Sequence, residues 1–135
     1  MEPVEAVCVD TDVLVDYLRG REPGRSAFAE RSRKAQVCAT AITAFELHLG
    51  ASLSSRSDER RLEVDSVLDQ HRLLPLDRGG AEKAAELGAG LKRKGATIEI
   101  RDLLNAGICL SNQLPMLTGN RAHYEKVPGL MVLTP

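Results

Sequence analysis

No tryptophan occurs in the 135 residues, and two tyrosines and two phenylalanines are the whole aromatic complement. Proteins that bind single-stranded nucleic acid by stacking its bases need an aromatic platform. This chain has too few such side chains to build one, so any recognition of RNA rests on backbone contacts and RNA shape. An excess of positive charge is missing as well. Eighteen Lys and Arg face nineteen Asp and Glu, a formal net charge of -1, and no overall field draws the molecule to a polyanion. Binding one then requires a local patch or a bound cation. Only three cysteines are present, Cys8, Cys38 and Cys109, each alone inside an apolar segment and without CxxC spacing. They read as buried free thiols of a protein in a reducing compartment. His48, His71 and His123 are equally scattered, which argues against a zinc site. No apolar run approaches the roughly 20 residues that cross a bilayer, and residues 1–3 do not begin a signal peptide. A cytoplasmic protein without membrane attachment is expected.

What is present is a globular composition, 43% apolar and 27% charged. The length suits one domain, 1–135, with a respectable core. Short apolar runs at 4–9, 36–39, 72–76, 114–118 and 130–133 read as strands. Several are apolar throughout, as in parallel sheets covered on both faces. Longer amphipathic runs at 12–19, 24–34, 43–53, 58–70, 80–94 and 102–112 read as helices. Val64, Val67, Leu68 and His71 make one helical stripe; Ala81, Ala84, Ala85, Gly88 and Leu91 make another. The alternation predicts an α/β fold, a three-layer α/β/α domain around a mostly parallel central sheet of about five strands.

Against that pattern the stretch VCVDTDVLVDYLRG, residues 7–20, is out of place. An apolar run leads into Asp10, Asp12 and Asp16, among residues that belong in a core. Two carboxylates about 4 Å apart repel by roughly 4 kcal/mol at an effective dielectric near 20, so something has to offset the repulsion. Asp10 directly follows the first expected strand, and Asn120 follows LPMLT, so both belong to the carboxyl-end rim of a parallel sheet, where ligands bind. Asp102 opens an expected helix, and Glu46 interrupts an apolar one between Phe45 and Leu47. Singly, each has an ordinary reading. Asp10 can be a helix N-cap, Asp102 a helix-start acid, and Glu46 part of a narrow solvent-facing stripe. Together they are hard oxygen ligands of the kind that suits Mg²⁺ or Mn²⁺.

The stretches VDTDVLVDYLRG, ATAITAFELHLGA and IRDLLNAGICLSNQLPMLTGNRAHYEKVPGL resemble the signature stretches of the PIN-domain family, in its VapC toxin branch. They keep that family's order and spacing from about Val7 to Leu133. The resemblance implies a PIN-like domain and a Mg²⁺-dependent endoribonuclease toxin of a type II toxin–antitoxin pair, with Mn²⁺ as a substitute cation. Its implied partners are an RNA substrate, a VapB-like antitoxin and a second copy of the chain. Asp10, Glu46 and Asp102 then fall on the catalytic, metal-holding acids, and Asn120 on a fourth catalytic position that is acidic in many members. Thr11 and Thr118 match the small hydroxyl residues flanking that site. Asn105, one turn after Asp102, reads either as a supporting residue of the site or as polar filler. Asp12 stands where Ser or Asn is frequent, and Asp16 reads as structural. Arg19, Arg21 and His123 are candidate RNA contacts. The implied reaction is in-line attack of a metal-activated water on phosphorus, leaving a 5′-phosphate and a 3′-hydroxyl.

Two other readings compete. VCVDTDVLVD also resembles the DxD motif of haloacid-dehalogenase-like phosphatases, with Asp10 as nucleophile and Asp12 as acid, although Glu46 then has no role. An amide at position 120 also suits a catalytically inactive PIN-like binding module.

Overall fold

The computed structural model describes residues 5–135. Val4, at the start of the first expected strand, and residues 1–3 lie outside it. Among the described residues five strands are formed: β1 (Ala6–Val9), β2 (Gln36–Thr40), β3 (Arg72–Leu74), β4 (Met116–Leu117) and β5 (Val132–Leu133). They make one sheet in the order β3-β2-β1-β4-β5, with every neighbouring pair parallel. The sheet expected to be mostly parallel is entirely so.

Parallel neighbours cannot be joined by a tight turn, and each connection carries a helix. The helices α1 (Thr11–Arg19) and α2 (Gly24–Lys34) link β1 to β2, and α3 (Ala41–Leu53) and α4 (Ser57–Asp69) link β2 to β3. Next come α5 (Arg78–Arg93) and α6 (Ile100–Ser111), which lead to β4, and the short α7 (Arg121–Tyr124), which leads to β5. Strand side chains alternate between two cores. Val7, Val9, Val37, Ala39 and Leu117 pack with Leu14, Phe28, Leu47 and Val64 from α1 to α4. Cys8 and Met116 point the other way, to Leu87, Ala106, Cys109 and Tyr124 from α5 to α7. Burial on both faces is why the strands read as unbroken apolar runs. All three cysteines are buried and free. Among the described residues no helix is long and apolar enough to cross a membrane.

Differences from the expected elements have local causes. Strand β4 starts only after Pro115, which has no N–H to give a ladder. Helix α3 begins earlier, at Ala41, because the Thr40 hydroxyl caps it by accepting from the Thr43 N–H at 3.1 Å. Helix α5 begins at Arg78 because Asp77 accepts from the Gly80 N–H at 2.8 Å. Its inner face is Gly80, Ala84, Leu87 and Leu91, whereas Ala81 and Ala85 are exposed. Helix α6 sets that face: a Cβ placed on Gly107 would lie 2.6 Å from the Ala84 Cβ. Helix α7 was not expected at all.

Strand β1 is central. The chain adds β2 and β3 on one side of it, then returns to add β4 and β5 on the other. Such a reversal leaves a crevice beyond the carboxyl ends of the two strands at the switch point, here β1 and β4.

Candidate active site

Asp10 leaves β1 at that crevice. Its backbone N–H donates to the Leu117 carbonyl at 2.9 Å, which fixes where its side chain starts. The carboxylate is 6% exposed and surrounded by donors. Oδ1 accepts from the Thr11 N–H at 2.9 Å and from Asn105 Nδ2 at 3.2 Å; the Tyr124 hydroxyl lies 3.3 Å from it. Oδ2 accepts from the Thr118 hydroxyl at 2.8 Å. Asp10 is therefore both the N-cap of α1 and the deepest acid of the crevice.

The other acids approach from separate helices. Glu46 projects from α3, with Oε1 3.0 Å from the Thr11 hydroxyl and Oε2 3.8 Å from the Arg101 guanidinium. Thr11 also lies 3.0 Å from the buried Thr43 hydroxyl. Asp102 sits in the first turn of α6, where its charge suits the helix dipole. Its Oδ1 is 3.1 Å from the Tyr124 hydroxyl and its Oδ2 is 3.0 Å from His123 Nδ1. Asp10, Glu46 and Asp102 line one open cleft with Asn120, His123, Glu99 and Arg101. Asn120 is exposed, and its backbone N–H donates to Thr118 Oγ1 at 3.0 Å.

Thr11, Thr118 and Asn105 each contact an acid of the cleft. Thr118 is fully buried and touches Asp10 directly. Asn105 is buried behind the acids, its carbonyl oxygen taking the Thr40 hydroxyl and its amide facing Asp10. Asp12 borders the cleft, but its two oxygens accept from the Val13 N–H at 2.9 Å and the Gly119 N–H at 2.8 Å. It ties the start of α1 to the loop after β4. Asp16 accepts from the Gly24 N–H at 3.1 Å, a structural bond between α1 and α2.

Arg19 and Arg21 do not line the acid cleft. Helix α1 carries Arg19 about 13 Å along its axis from the Asp10 end, to an adjoining groove against α3 and α4 that meets the cleft at Glu46. His123, a candidate RNA contact, reaches Asp102 itself. Several participants went unassigned in the sequence. Arg101 supplies the cleft with positive charge, Thr43 backs Thr11, and Tyr124 joins Asp10 to Asp102. Tyr124 had one available signal: it is one of two tyrosines, and it closes the stretch TGNRAHY.

Electrostatically the cleft lacks positive charge where it is deepest. Burial pushes the Asp10 carboxyl up to about 6, opposed by the Thr118 hydrogen bond and reinforced by Asp12 and Asp102. Burial raises the Asp12 carboxyl too. The Tyr124 phenol is pushed far above its usual range, first by burial and then by Asp10, so it stays a proton donor. Among the described residues no three His, Cys, Asp or Glu side chains close around one point as an all-protein cage. Mg²⁺ does not require one, because it keeps several waters and takes one or two carboxylates directly. A buried, donor-supported carboxylate held at about pKa 6, with two further carboxylates on the same cleft, fits a hard divalent cation by donor chemistry.

A parallel α/β domain with three acids at its switch point defines the class, and comparison of the sequence gives the family. The pattern of the PIN domain matches residues 7–130, and the chain belongs to that family. Among curated proteins it is 28% identical to the tRNA(fMet)-specific endonuclease VapC of Salmonella typhimurium, over 72% of this chain and 74% of the relative. It is 29% identical to ribonuclease VapC5 of Mycobacterium tuberculosis, over 82% and 79%. Among solved structures, VapBC2 from Rickettsia felis bound to a promoter DNA fragment superposes with a TM-score of 0.88 at 18% identity. That match covers 96% of this chain and 98% of the other. DNA-bound VapBC from Salmonella typhimurium gives 0.86 at 24%, covering 98% of each. The fold is that of these toxin–antitoxin structures.

Proposed function

We propose that this protein is a Mg²⁺-dependent endoribonuclease toxin of a type II toxin–antitoxin pair, acting in the cytoplasm as a homodimer and restrained by a VapB-like antitoxin. The observation that carries the reading is the meeting of Asp10, Glu46 and Asp102 on one cleft at the sheet switch point. Relatives named as VapC ribonucleases support it.

In this reading Asp10, Glu46 and Asp102 hold the cation, with Mn²⁺ able to replace Mg²⁺. When bound, the ion supplies charge neutralisation at the scissile phosphate and a more acidic water. The chain's own groups set the stage. Thr118, Asn105 and the Thr11 N–H fix the Asp10 carboxylate, and Thr11 fixes Glu46. The Thr11 and Thr118 hydroxyls each face a carboxylate and hold it in place. Attack by water, leaving a 5′-phosphate and a 3′-hydroxyl, is the reaction proposed. Arg101, His123 and Asn120 stand at the cleft's exposed edge, where an RNA backbone would arrive. The phosphatase alternative is not favoured. Asp12 would have to deliver a proton, yet both its oxygens are engaged by backbone N–H groups.

Expression without the partner is expected to arrest growth, and co-expression of a cognate VapB-like antitoxin to restore it. The purified protein should cut RNA in Mg²⁺ and stop on chelation. Chelator-insensitive cleavage would overturn the metal-dependent reading, and no cleavage by metal-replete protein would favour the inactive binding module.

Asn120 tunes the site. By residue count the three acids bring about -3, and a neutral amide adds nothing, so one ion should bind well and a second only with substrate phosphate present. Asn120→Asp is expected to tighten the second ion, because ligand charge governs affinity for hard cations. Asn120→Ala should cost less activity than Asp10→Ala. Calorimetric titration with and without a non-cleavable RNA checks both, and tight binding of two ions by the unaltered protein would refute the assignment.

A further inference from the structure

Tyr124 has no exposed surface, yet it keeps a polar hydroxyl among carboxylates. A ring needed only for packing could be Phe, which fills the same space without burying an O–H group. The hydroxyl lies 3.1 Å from Asp102 Oδ1 and 3.3 Å from Asp10 Oδ1. It has one proton and can donate to only one of them at a time. Asn105 resolves the competition. Its carbonyl takes the Thr40 hydroxyl, which turns its amide hydrogens toward Asp10 Oδ1 at 3.2 Å and the Tyr124 oxygen at 3.5 Å. Asp10 is thereby supplied by Asn105, Thr118 and the Thr11 N–H, and the tyrosine proton is left for Asp102. Meanwhile His123, the residue before Tyr124, meets the other oxygen of Asp102 at 3.0 Å. Consecutive residues of α7 grip both oxygens of one acid.

We infer that α7 is a clamp on Asp102, with the Tyr124 hydroxyl as the positioning residue that fixes Asp102 relative to Asp10. The inference rests on the reading of the cleft as a divalent-ion site. Tyr124 touches neither substrate nor ion. It acts by holding one carboxylate at a set place beside another, as hydrogen-bonded partners of metal-holding groups do.

The test is Tyr124→Phe, which keeps the ring and hence the packing of α7. Mn²⁺ affinity is measured by calorimetry on the metal-free protein, alongside thermal unfolding and RNA cleavage. Removing such a partner lowers metal affinity about 10-fold or more. A fall of that size, together with a similar fall in kcat at unchanged KM, is expected. A merely structural hydroxyl would move the unfolding midpoint and leave Mn²⁺ affinity alone. Mn²⁺ affinity in Tyr124→Phe equal to or tighter than in the unaltered protein overturns the inference. A double-mutant cycle gives a second reading. In an Asp102→Ala background, which removes the acceptor of the Tyr124 hydroxyl, the same change should cost little further affinity, whereas full additivity would show that Tyr124 does not act through Asp102. The two proposals fail separately. An unaltered protein that binds Mn²⁺ but cuts no RNA overturns the nuclease reading alone, whereas one that binds no Mn²⁺ overturns both.

Discussion

Asp10→Asn is expected to abolish RNA cleavage and to make the metal-free protein more stable. The catalytic loss should be roughly 1000-fold, since a cation's stabilisation of the transition state is worth several kcal/mol and each 1.36 kcal/mol is tenfold in rate. The stability gain follows from the carboxyl's pKa, raised from 3.8 to about 6 chiefly by burial. Below pH 4 the group is protonated both folded and unfolded, and it carries no penalty. As pH rises through 6 the folded protein must hold a desolvated charge that the unfolded chain leaves in water. About two pKa units correspond to on the order of 3 kcal/mol lost over that window. The amide avoids this penalty, and Asn can still accept from the Thr11 N–H and from Asn105. In chelator at pH 7.5, Asp10→Asn should melt roughly 5–10 °C above the unaltered protein, with the difference vanishing near pH 4. Thermal scans at the two pH values check it. Equal midpoints at pH 7.5 would mean that the buried charge is already compensated and that the site does not call for a cation. Activity is here expected to oppose stability, as it often does where a charge is kept buried for use.

Asp102→Asn is expected to lower cleavage at least ~100-fold while the fold survives. The side chain keeps its shape, and its carbonyl oxygen can still take the Tyr124 hydroxyl. What goes is one negative charge on the cleft. Near-normal cleavage by a folded variant, its helix content checked by circular dichroism, would remove Asp102 from the site.

The fold could be read because the sheet is buried on both sides. Apolar runs such as Val7 to Val9 then contrast cleanly with the amphipathic helices. The acids were legible by the opposite effect: Asp10 and Glu46 contradict the pattern around them, and such conflicts between local pattern and burial concentrate at functional sites. Tyr124 and Arg101 break no pattern. A tyrosine in a core and an arginine at a helix start are ordinary, and their roles emerge only when α6 and α7 converge. Arg19 and Arg21 mislead for a related reason. They are close to Asp10 along the chain, but a helix axis points away from its own N-terminus. On α5 the alanines that bury and those that do not are chemically the same, so only the helix packed against them distinguishes the faces.

The groups that seat Asp10 come from the far end of the polypeptide: Asn105, Thr118 and Tyr124 follow it by 95, 108 and 114 positions. During translation, at about 5–20 residues per second, the first acid therefore leaves the ribosome several seconds before its supports exist. A nascent chain holding Asp10 and Glu46 has no formed cleft, and a product that terminates before Thr118 never acquires one. Completion of the acid cluster thus waits on the last third of the chain, from which Asp102, Asn105, Thr118 and Tyr124 all come.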